Sequence, residues 1–160
     1  ASPITRCRCR HGAEVRRLHP PHGGALPAQK KSSPSRSIRS PTAYLAENVR
    51  LNGVDGIVVP VHGDCDLVTP RAVADRVVMG YVGTTDQYLD AAIAALRAGG
   101  ALHYHQTVPE KLYPRKLEED LAGAGERAGR SVKIERSARV KKYSPGILHA
   151  VVDARVDGAE

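Results

Sequence analysis

The chain has 160 residues, with 24 Lys or Arg against 17 Asp or Glu, so its formal net charge is +7. This length suits one domain, and no apolar run approaches the roughly 18 residues that a membrane-spanning helix needs. The three cysteines, Cys7, Cys9 and Cys65, are too few and too unevenly spaced to predict a disulfide framework. These features exclude a disulfide-rich secreted domain and favour a reducing, cytoplasmic setting.

The positive charge is concentrated in the first quarter of the chain. Residues 1–40 hold nine basic residues and one acid, for a net charge of +8, whereas residues 41–160 have a net charge of −1. The first segment is rich in Pro, Ser, Arg and Gly, and it cannot bury enough apolar surface to offset the roughly 1–2 kcal/mol of backbone entropy lost per ordered residue. We interpret residues 1–40 as a disordered basic segment, consistent with a frameshifted reading of the gene, and residues 41–160 as the folded part.

From residue 41 onward, helical and strand patterns alternate. The predicted elements are a helix over residues 42–52, strands over 56–61 and 76–79, a helix over 85–97, a strand over 101–105, a helix over 113–128 and strands over 132–140 and 147–156. Residues 141–146 contain the turn signal Pro145-Gly146, so the last two strands are predicted to form an antiparallel hairpin. A strand, a crossover helix and a second strand make a βαβ unit, and the chain is therefore predicted to have an α/β fold.

Two loops follow predicted strands at the edge where open α/β sheets bind ligands. The candidate ligand-binding residues at this edge are Gly63, Asp64, Cys65, Met79, Gly80 and Tyr81. Glycine lets the backbone approach a ligand closely, and a tyrosine ring can stack on a base. The alternative interpretations are a turn formed by the Gly63-Asp64 pair and simple packing at the end of the second strand.

Histidines suggest a metal site, but their number and spacing do not support one. His103 and His105 alternate on one strand face, and two ligands are too few for a zinc site. Cys7, Cys9 and His11 have a spacing that fits no standard zinc motif. We expect no metal, and we interpret His103 and His105 as a hydrogen-bonded structural pair, with substrate contact as the functional alternative.

Several motifs resemble a known family. Residues 40–44 (Ser-Pro-Thr-Ala-Tyr) and 47–52 (Glu-Asn-Val-Arg-Leu-Asn) resemble the Asn-Pro-x-Ala and Glu-Asn-x-x-Leu-Asn segments of enzymes that modify the guanosine-derived base beside the anticodon of phenylalanine tRNA. Residues 75–81, 103–105 and 142–146 resemble motifs of one branch of these enzymes, the archaeal aminocarboxypropyltransferases of wybutosine synthesis. The motifs occur in order and with few gaps.

This resemblance implies a class I methyltransferase (Rossmann-like) fold, here incomplete because it lacks the first strands and the glycine-rich loop. It also implies S-adenosylmethionine as the co-substrate, whose 3-amino-3-carboxypropyl group is transferred to a tricyclic guanosine derivative in tRNA. By the same resemblance, Asp64 would lie beside the adenine amino group, a role that suits an acceptor-only carboxylate. No catalytic residue is assigned, because an electrophilic sulfonium makes the transfer mainly a matter of positioning.

The implied partner is tRNA, and Lys141 and Lys142 are the candidate contacts to its phosphates. They lie at the predicted hairpin turn and have no acidic residue within three positions. The alternative interpretation is an ordinary solvated turn. No membrane partner is expected, and the sequence does not predict an oligomeric state.

Two other functions are left open by the sequence alone. The sister branch, the tRNA guanine-N1 methyltransferases, usually has Asn-Leu-Pro where this chain has Met79, Gly80 and Tyr81. The second alternative is a non-catalytic remnant with weak electrostatic binding to nucleic acid. Residues 1–40 contain no counterpart of the glycine-rich loop, and the position of the family's ribose-binding acid falls near Ile38. We therefore expect the 160-residue chain by itself not to catalyse the transfer.

Overall fold

The computed structural model describes residues 13–14, 41–81 and 83–159. Its strands are β1 (Ala13–Glu14), β2 (Ala74–Met79), β3 (Leu96–Pro109), β4 (Arg130–Ser144) and β5 (Ile147–Ala159). Its α-helices are α1 (Pro41–Leu51), α2 (Cys65–Val68), α3 (Leu89–Ala95) and α4 (Arg115–Ala128). Short 3₁₀ helices cover Thr85–Tyr88 and Glu110–Leu112. No helix in these described ranges is long and apolar enough to span a membrane.

The strands form one sheet in the order β1-β2-β3-β5-β4. β2 and β3 are parallel and are connected through α3, whereas β3, β5 and β4 pair antiparallel. The predicted βαβ unit and the C-terminal hairpin are therefore confirmed. A parallel pair extended by an antiparallel hairpin is the architecture of an incomplete Rossmann-like α/β domain.

The main hydrophobic core lies between one face of the sheet and helices α3 and α4. On β3, the alternate side chains of Leu102, Tyr104 and Val108 are at most 1 % exposed. The helices contribute Leu89, Ala92, Ile93, Leu117, Leu121 and Ala124. Burying each large apolar side chain stabilises the fold by about 1.5–3 kcal/mol, so this layer fixes the position of β3 under both helices.

Arg130, the first residue of β4, ties the end of α3 to the sheet. The last carbonyl groups of a helix have no partner within the helix and need donors from elsewhere. Nη1 of Arg130 donates to the carbonyl oxygens of Ile93, at 2.6 Å, and Leu96, at 2.8 Å, while Nε donates to the carbonyl oxygen of Asp157 at 2.7 Å. One guanidinium thus joins α3, the start of β3 and the end of β5.

The strand predicted over residues 56–61 does not form, and this prediction is wrong. The chain makes a turn there instead, in which the Val58 amide donates to the Val54 carbonyl oxygen at 2.8 Å. The Val58 side chain packs against Leu45 and Val49 of α1 in a small separate cluster. A strand needs a neighbour for its backbone groups. The edge of β2 that does not pair with β3 pairs instead with β1, so residues 56–61 have no strand partner there.

The helix predicted over residues 85–97 is shorter than expected. It begins with a 3₁₀ turn and ends at Ala95, because Leu96 already pairs in β3. β3 is in turn longer than the predicted strand over 101–105, since β5 pairs with it over its whole second half. Gly99, two residues beyond the predicted end of that helix, lies within β3 with a positive φ of 74°.

The hairpin turn is also tighter than predicted, which changes the position of the two candidate lysines. The turn contains only Pro145 and Gly146, so Lys141 and Lys142 lie within β4, opposite His149 and Leu148 of β5. Directly opposed residues of an antiparallel pair project from the same face of the sheet, and successive residues alternate. Lys141 and Lys142 therefore project from opposite faces.

The basic segment of residues 1–40 is described only at β1. Ala13 and Glu14 pair antiparallel with Met79 and Val78 of β2, a contact that the sequence did not predict. The expectation of disorder for the remainder of this segment lies outside the described residues.

Candidate functional site

The candidate site lies at the carboxyl end of β2, the edge where ligands bind in sheets of this kind. β2 ends at Met79, and Gly80 and Tyr81 follow it toward the 3₁₀ helix Thr85–Tyr88. The Met79 side chain is 1 % exposed and belongs to the core. Gly80 is exposed and Tyr81 is half-buried, so these two residues are the accessible part of the predicted segment.

Asp64 begins the short helix α2 and presents its carboxylate to solvent. Its Oδ1 accepts a hydrogen bond from the Asp66 amide at 3.1 Å, an N-cap bond that orients the side chain and leaves Oδ2 without a partner among the described residues. Gly63 precedes it in close contact with Val68, whose Cγ1 would collide with a Cβ placed at residue 63. Cys65 is 3 % exposed and disulfide-bonded, a state that the cysteine count did not predict.

The two loops converge on Tyr88. Burial raises the pKa of the Tyr88 hydroxyl, and the charges of Asp64 and Asp66 and the Tyr81 hydroxyl raise it further. Desolvation also raises the pKa of Asp66, with contributions from Asp64 and Asp90. Asp64, Asp66 and Tyr81 therefore all lie near enough to Tyr88 to influence its hydroxyl electrostatically. An acceptor-only carboxylate beside tyrosine rings suits a heterocyclic base that carries an exocyclic amine.

The face of the sheet opposite α3 and α4 carries a polar cluster. His103 Nδ1 lies 2.6 Å from Asp153 Oδ1, and Arg136 Nε donates to Asp153 Oδ2 at 3.0 Å. His105 Nδ1 lies 3.2 Å from His149 Nε2. His103 and His105 are therefore hydrogen-bonded, but each bonds across to β5 and not to the other. Within the described ranges, no group of three or more His, Cys, Asp or Glu side chains could hold a metal ion.

Asp153 holds this cluster together as a carboxylate. Its burial alone would raise its pKa, but the hydrogen bonds from His103 and Arg136 outweigh burial, and the pKa of Asp153 is lowered. The charged form therefore predominates at neutral pH.

A groove of about 790 Å³ runs along α3 and reaches Asp66, next to Asp64 of the candidate site. Most of the arginines that line it are already engaged. Arg97 pairs with Asp75 at 2.9 Å, Arg127 pairs with Asp90 at 2.7 Å, and Arg130 is taken up by backbone carbonyl groups. The groove is therefore built from structural ion pairs, and its chemistry does not continue that of Asp64 and Tyr81.

Comparison with known proteins agrees with this geometry. Residues 28–134 match the family described as the TRM5/TYW2 methyltransferase domain. The chain belongs to this family. The match begins upstream of α1, within the segment that composition set apart, and it confirms the resemblance that the motifs suggested.

Members of the TRM5/TYW2 family on both branches are similar to this chain. A tRNA(Phe) (4-demethylwyosine(37)-C(7)) aminocarboxypropyltransferase of Methanocaldococcus jannaschii is 38 % identical over 82 % of this chain and 55 % of its own length. The structure of M. jannaschii TYW2 in complex with AdoMet superposes with a TM-score of 0.69, covering 74 % of this chain and 53 % of that one. A tRNA (guanine(37)-N(1))-methyltransferase, Trm5b of Pyrococcus abyssi, is 31 % identical over 71 % of this chain and 33 % of its own length. The chain thus spans about half the length of the M. jannaschii relative and about a third of the length of P. abyssi Trm5b.

Sequence reasoning did not single out three residues that lie near the candidate residues: Asp66, Tyr88 and Gln106. Tyr88 falls within the helix predicted over residues 85–97, and that pattern gives its hydroxyl no role. The position of Gln106 could have been noticed, because it alternates with Tyr104 and Val108 on the buried face of β3. Gln106 is itself 6 % exposed. A polar residue at a core position of a strand needs hydrogen-bond partners, and the sequence could not say which.

The His105–His149 pair predicts a pH-dependent stability. Burial lowers the pKa of His105, and the neighbouring His149 and His103 lower it further; burial and the Lys141 charge lower the pKa of His149. In the unfolded chain these histidines have the ordinary pKa of 6.5. When the pH falls below 6.5, the unfolded chain therefore binds more protons than the folded chain. The free energy of unfolding should fall as the pH drops from about 6.5 through the native pKa values.

The measurement is urea unfolding at about pH 7.5 and about pH 5.5 for the wild type and for His105→Gln. The wild type should lose more stability on acidification than the variant, which lacks one of the two titrating rings. Equal losses in both proteins would show that this pair does not control the effect.

Proposed function

We propose that this chain forms part of an enzyme that transfers the 3-amino-3-carboxypropyl group of S-adenosylmethionine to a tricyclic guanosine derivative next to the anticodon of phenylalanine tRNA. The observation that carries the proposal is its 38 % identity with the M. jannaschii aminocarboxypropyltransferase, against 31 % with the guanine-N1 methyltransferase Trm5b. The residues Met79, Gly80 and Tyr81 at the candidate site support the same branch, since the methyltransferases usually have Asn-Leu-Pro there. A cytoplasmic location is part of the proposal, because tRNA is modified there.

The candidate site fits S-adenosylmethionine as the co-substrate. Oδ2 of Asp64, which has no partner among the described residues, can accept a hydrogen bond from the adenine amino group, and both Asp64 and Tyr81 influence the Tyr88 hydroxyl electrostatically. The AdoMet complex of M. jannaschii TYW2, which has the same fold, supports this assignment. No metal ion is needed, since the sulfonium already activates the carbon that is attacked.

The reaction balances without a further co-reactant. A carbon atom of the base forms a bond with the γ-carbon of the aminocarboxypropyl group, and the bond from that carbon to sulfur breaks. The electron pair stays on sulfur, methylthioadenosine leaves, and the base loses the proton of the attacking carbon. The role of the described residues is to bind and orient, and holding two reactants in line is itself a large contribution to rate.

The test is a chimera in which residues 41–160 replace the matching part of the M. jannaschii relative. It is incubated with S-adenosylmethionine and phenylalanine tRNA that carries 4-demethylwyosine, and the nucleoside products are separated. We expect methylthioadenosine. Release of S-adenosylhomocysteine would instead favour the methyltransferase branch, and no turnover by a chimera with native circular dichroism would favour a non-catalytic remnant.

Asp64 provides the test of the co-substrate site. In the same chimera, Asp64→Ala should weaken S-adenosylmethionine binding by roughly 1–3 kcal/mol, because the adenine amino group loses its acceptor. Asp64→Asn keeps the N-cap and separates this effect from loss of α2. Asp55→Ala, an exposed acid in the turn after α1, is the matched control, and an affinity loss equal to that of Asp64→Ala would argue against the assignment.

The position of the two lysines sharpens the tRNA proposal. Lys141 shares its face of the sheet with Lys133 and Arg136, whereas Lys142 lies on the face of Leu148. A phosphate backbone that follows one face can contact only one of the two. Lys141→Ala should therefore lower tRNA affinity and flatten the dependence of log K on log salt by roughly 0.7–0.9, the contribution of one phosphate contact.

Filter binding of phenylalanine tRNA to the full chain at several salt concentrations makes this measurement. Lys142→Ala serves as the matched control and should leave the salt slope unchanged, so the double variant should behave like Lys141→Ala. Equal and additive changes from the two single variants would contradict the assignment to opposite faces.

A further inference from the structure

Gln106 is a buried polar residue in the row of β3 side chains that supports α3 and α4. It is 6 % exposed, and its neighbours in the same row are Tyr104 and Val108. A carboxamide in such a place costs free energy unless its oxygen and nitrogen are both hydrogen-bonded. Its partners therefore show what the residue is for.

The carboxamide connects β3 to the loop that follows β2. Oε1 accepts from the Gly83 amide at 3.2 Å and from the Thr107 amide at 3.0 Å. Nε2 donates to Asp86 Oδ1, in the 3₁₀ helix, at 2.9 Å. Gly83 and Asp86 both lie in the segment between Tyr81 and Tyr88. The glutamine therefore hydrogen-bonds this loop to β3 at two points.

The glutamine is also in contact with Tyr104, which is hydrogen-bonded to Asp120 of α4. Its carboxamide lies against the Tyr104 hydroxyl, which donates to Asp120 Oδ2 at 3.4 Å. Asp120 is in turn paired with Lys116 on the same helix. Because Tyr104 is fully buried, this chain of contacts leaves the carboxamide little freedom to turn.

We propose that Gln106 is a positioning residue, which holds the loop after β2 so that Gly80 and Tyr81 face the co-substrate beside Asp64. The inference deepens the proposed function and rests on it for the identity of the ligand. Gly83 has a φ of 135°, a conformation that glycine adopts without strain, so its own backbone does not fix the path of the loop. The bond to Gln106 selects that path before the ligand arrives.

The proposal is tested on the full chain with three variants. Gln106→Leu removes all three of these hydrogen bonds, to Gly83, Thr107 and Asp86, at similar volume. Gln106→Glu keeps the acceptor for Gly83 but places a second carboxylate against Asp86. The double variant Gln106→Glu with Asp86→Asn exchanges donor and acceptor between the two side chains and restores the original net charge.

Amide hydrogen exchange at Gly83 and titration with S-adenosylmethionine are the readouts. Gln106→Leu should speed exchange at Gly83 by about tenfold, the equivalent of about 1.4 kcal/mol, and weaken S-adenosylmethionine binding by a similar factor. Gln106→Glu should have the same effects, because repulsion between its carboxylate and Asp86 displaces the side chain from Gly83. The double variant should recover most of both losses. Gln87→Leu, the same chemical change at an exposed site of the same 3₁₀ helix, should alter neither.

The outcomes separate this inference from the proposed function. Unchanged exchange at Gly83 in Gln106→Leu, or an equal change in Gln87→Leu, would overturn the positioning role. If Gln106→Leu does not fold, the double variant decides, and failure to restore protection at Gly83 would overturn it as well. A lack of S-adenosylmethionine binding by the wild-type chain would count against the proposed co-substrate, while amide exchange would still decide the role of Gln106.

Discussion

The alternate side chains of β3 have to be buried beneath α3 and α4, and the rest of the described structure is arranged around that requirement. Leu102, Tyr104 and Val108 meet the apolar stripes of both helices, so β3 lies at the centre of the sheet with β2 on one side and β5 on the other. Arg130 completes the arrangement by donating to carbonyl groups at the end of α3 and along the neighbouring strands. A change that moved β3 would therefore move both helices and the edge at which the candidate site lies.

The same requirement explains why Gln106, a polar residue on the buried face of β3, hydrogen-bonds to the loop after β2. Gln106 cannot face solvent without reversing the register of its strand, which would expose the apolar residues on either side of it. Its carboxamide is satisfied locally instead, by the Gly83 amide and the Asp86 carboxylate in the loop after Tyr81. The core and the candidate site are thus coupled through one side chain, and the proposed binding of the co-substrate depends on packing at some distance from it.

The two faces of the sheet have different chemistry. One face is apolar and covered by helices, while the other carries His103, Asp153 and Arg136 in one hydrogen-bonded group and His105 with His149 in another. Successive side chains of β4 and β5 point to opposite faces of the sheet. Neighbouring residues such as Lys141 and Lys142 therefore lie on different surfaces. The proposed tRNA contact therefore uses one face of the hairpin, and Lys133 lies on the same face as Lys141.

The sequence by itself determined the α/β class, the helices α1 and α4, the C-terminal hairpin and the family, because these depend on local periodicity, on turn residues and on motifs that are contiguous in the chain. It also indicated Asp64 and Tyr81, since both follow apolar segments at points where the chain must turn. Only the tertiary structure decided that residues 56–61 do not form a strand, that His103 bonds to Asp153, that Met79 is a core residue and that Gln106 holds the loop after β2. Each of these depends on which segment lies next to another in space, and a backbone or side-chain polar group takes its partner from there and not from its neighbours in sequence.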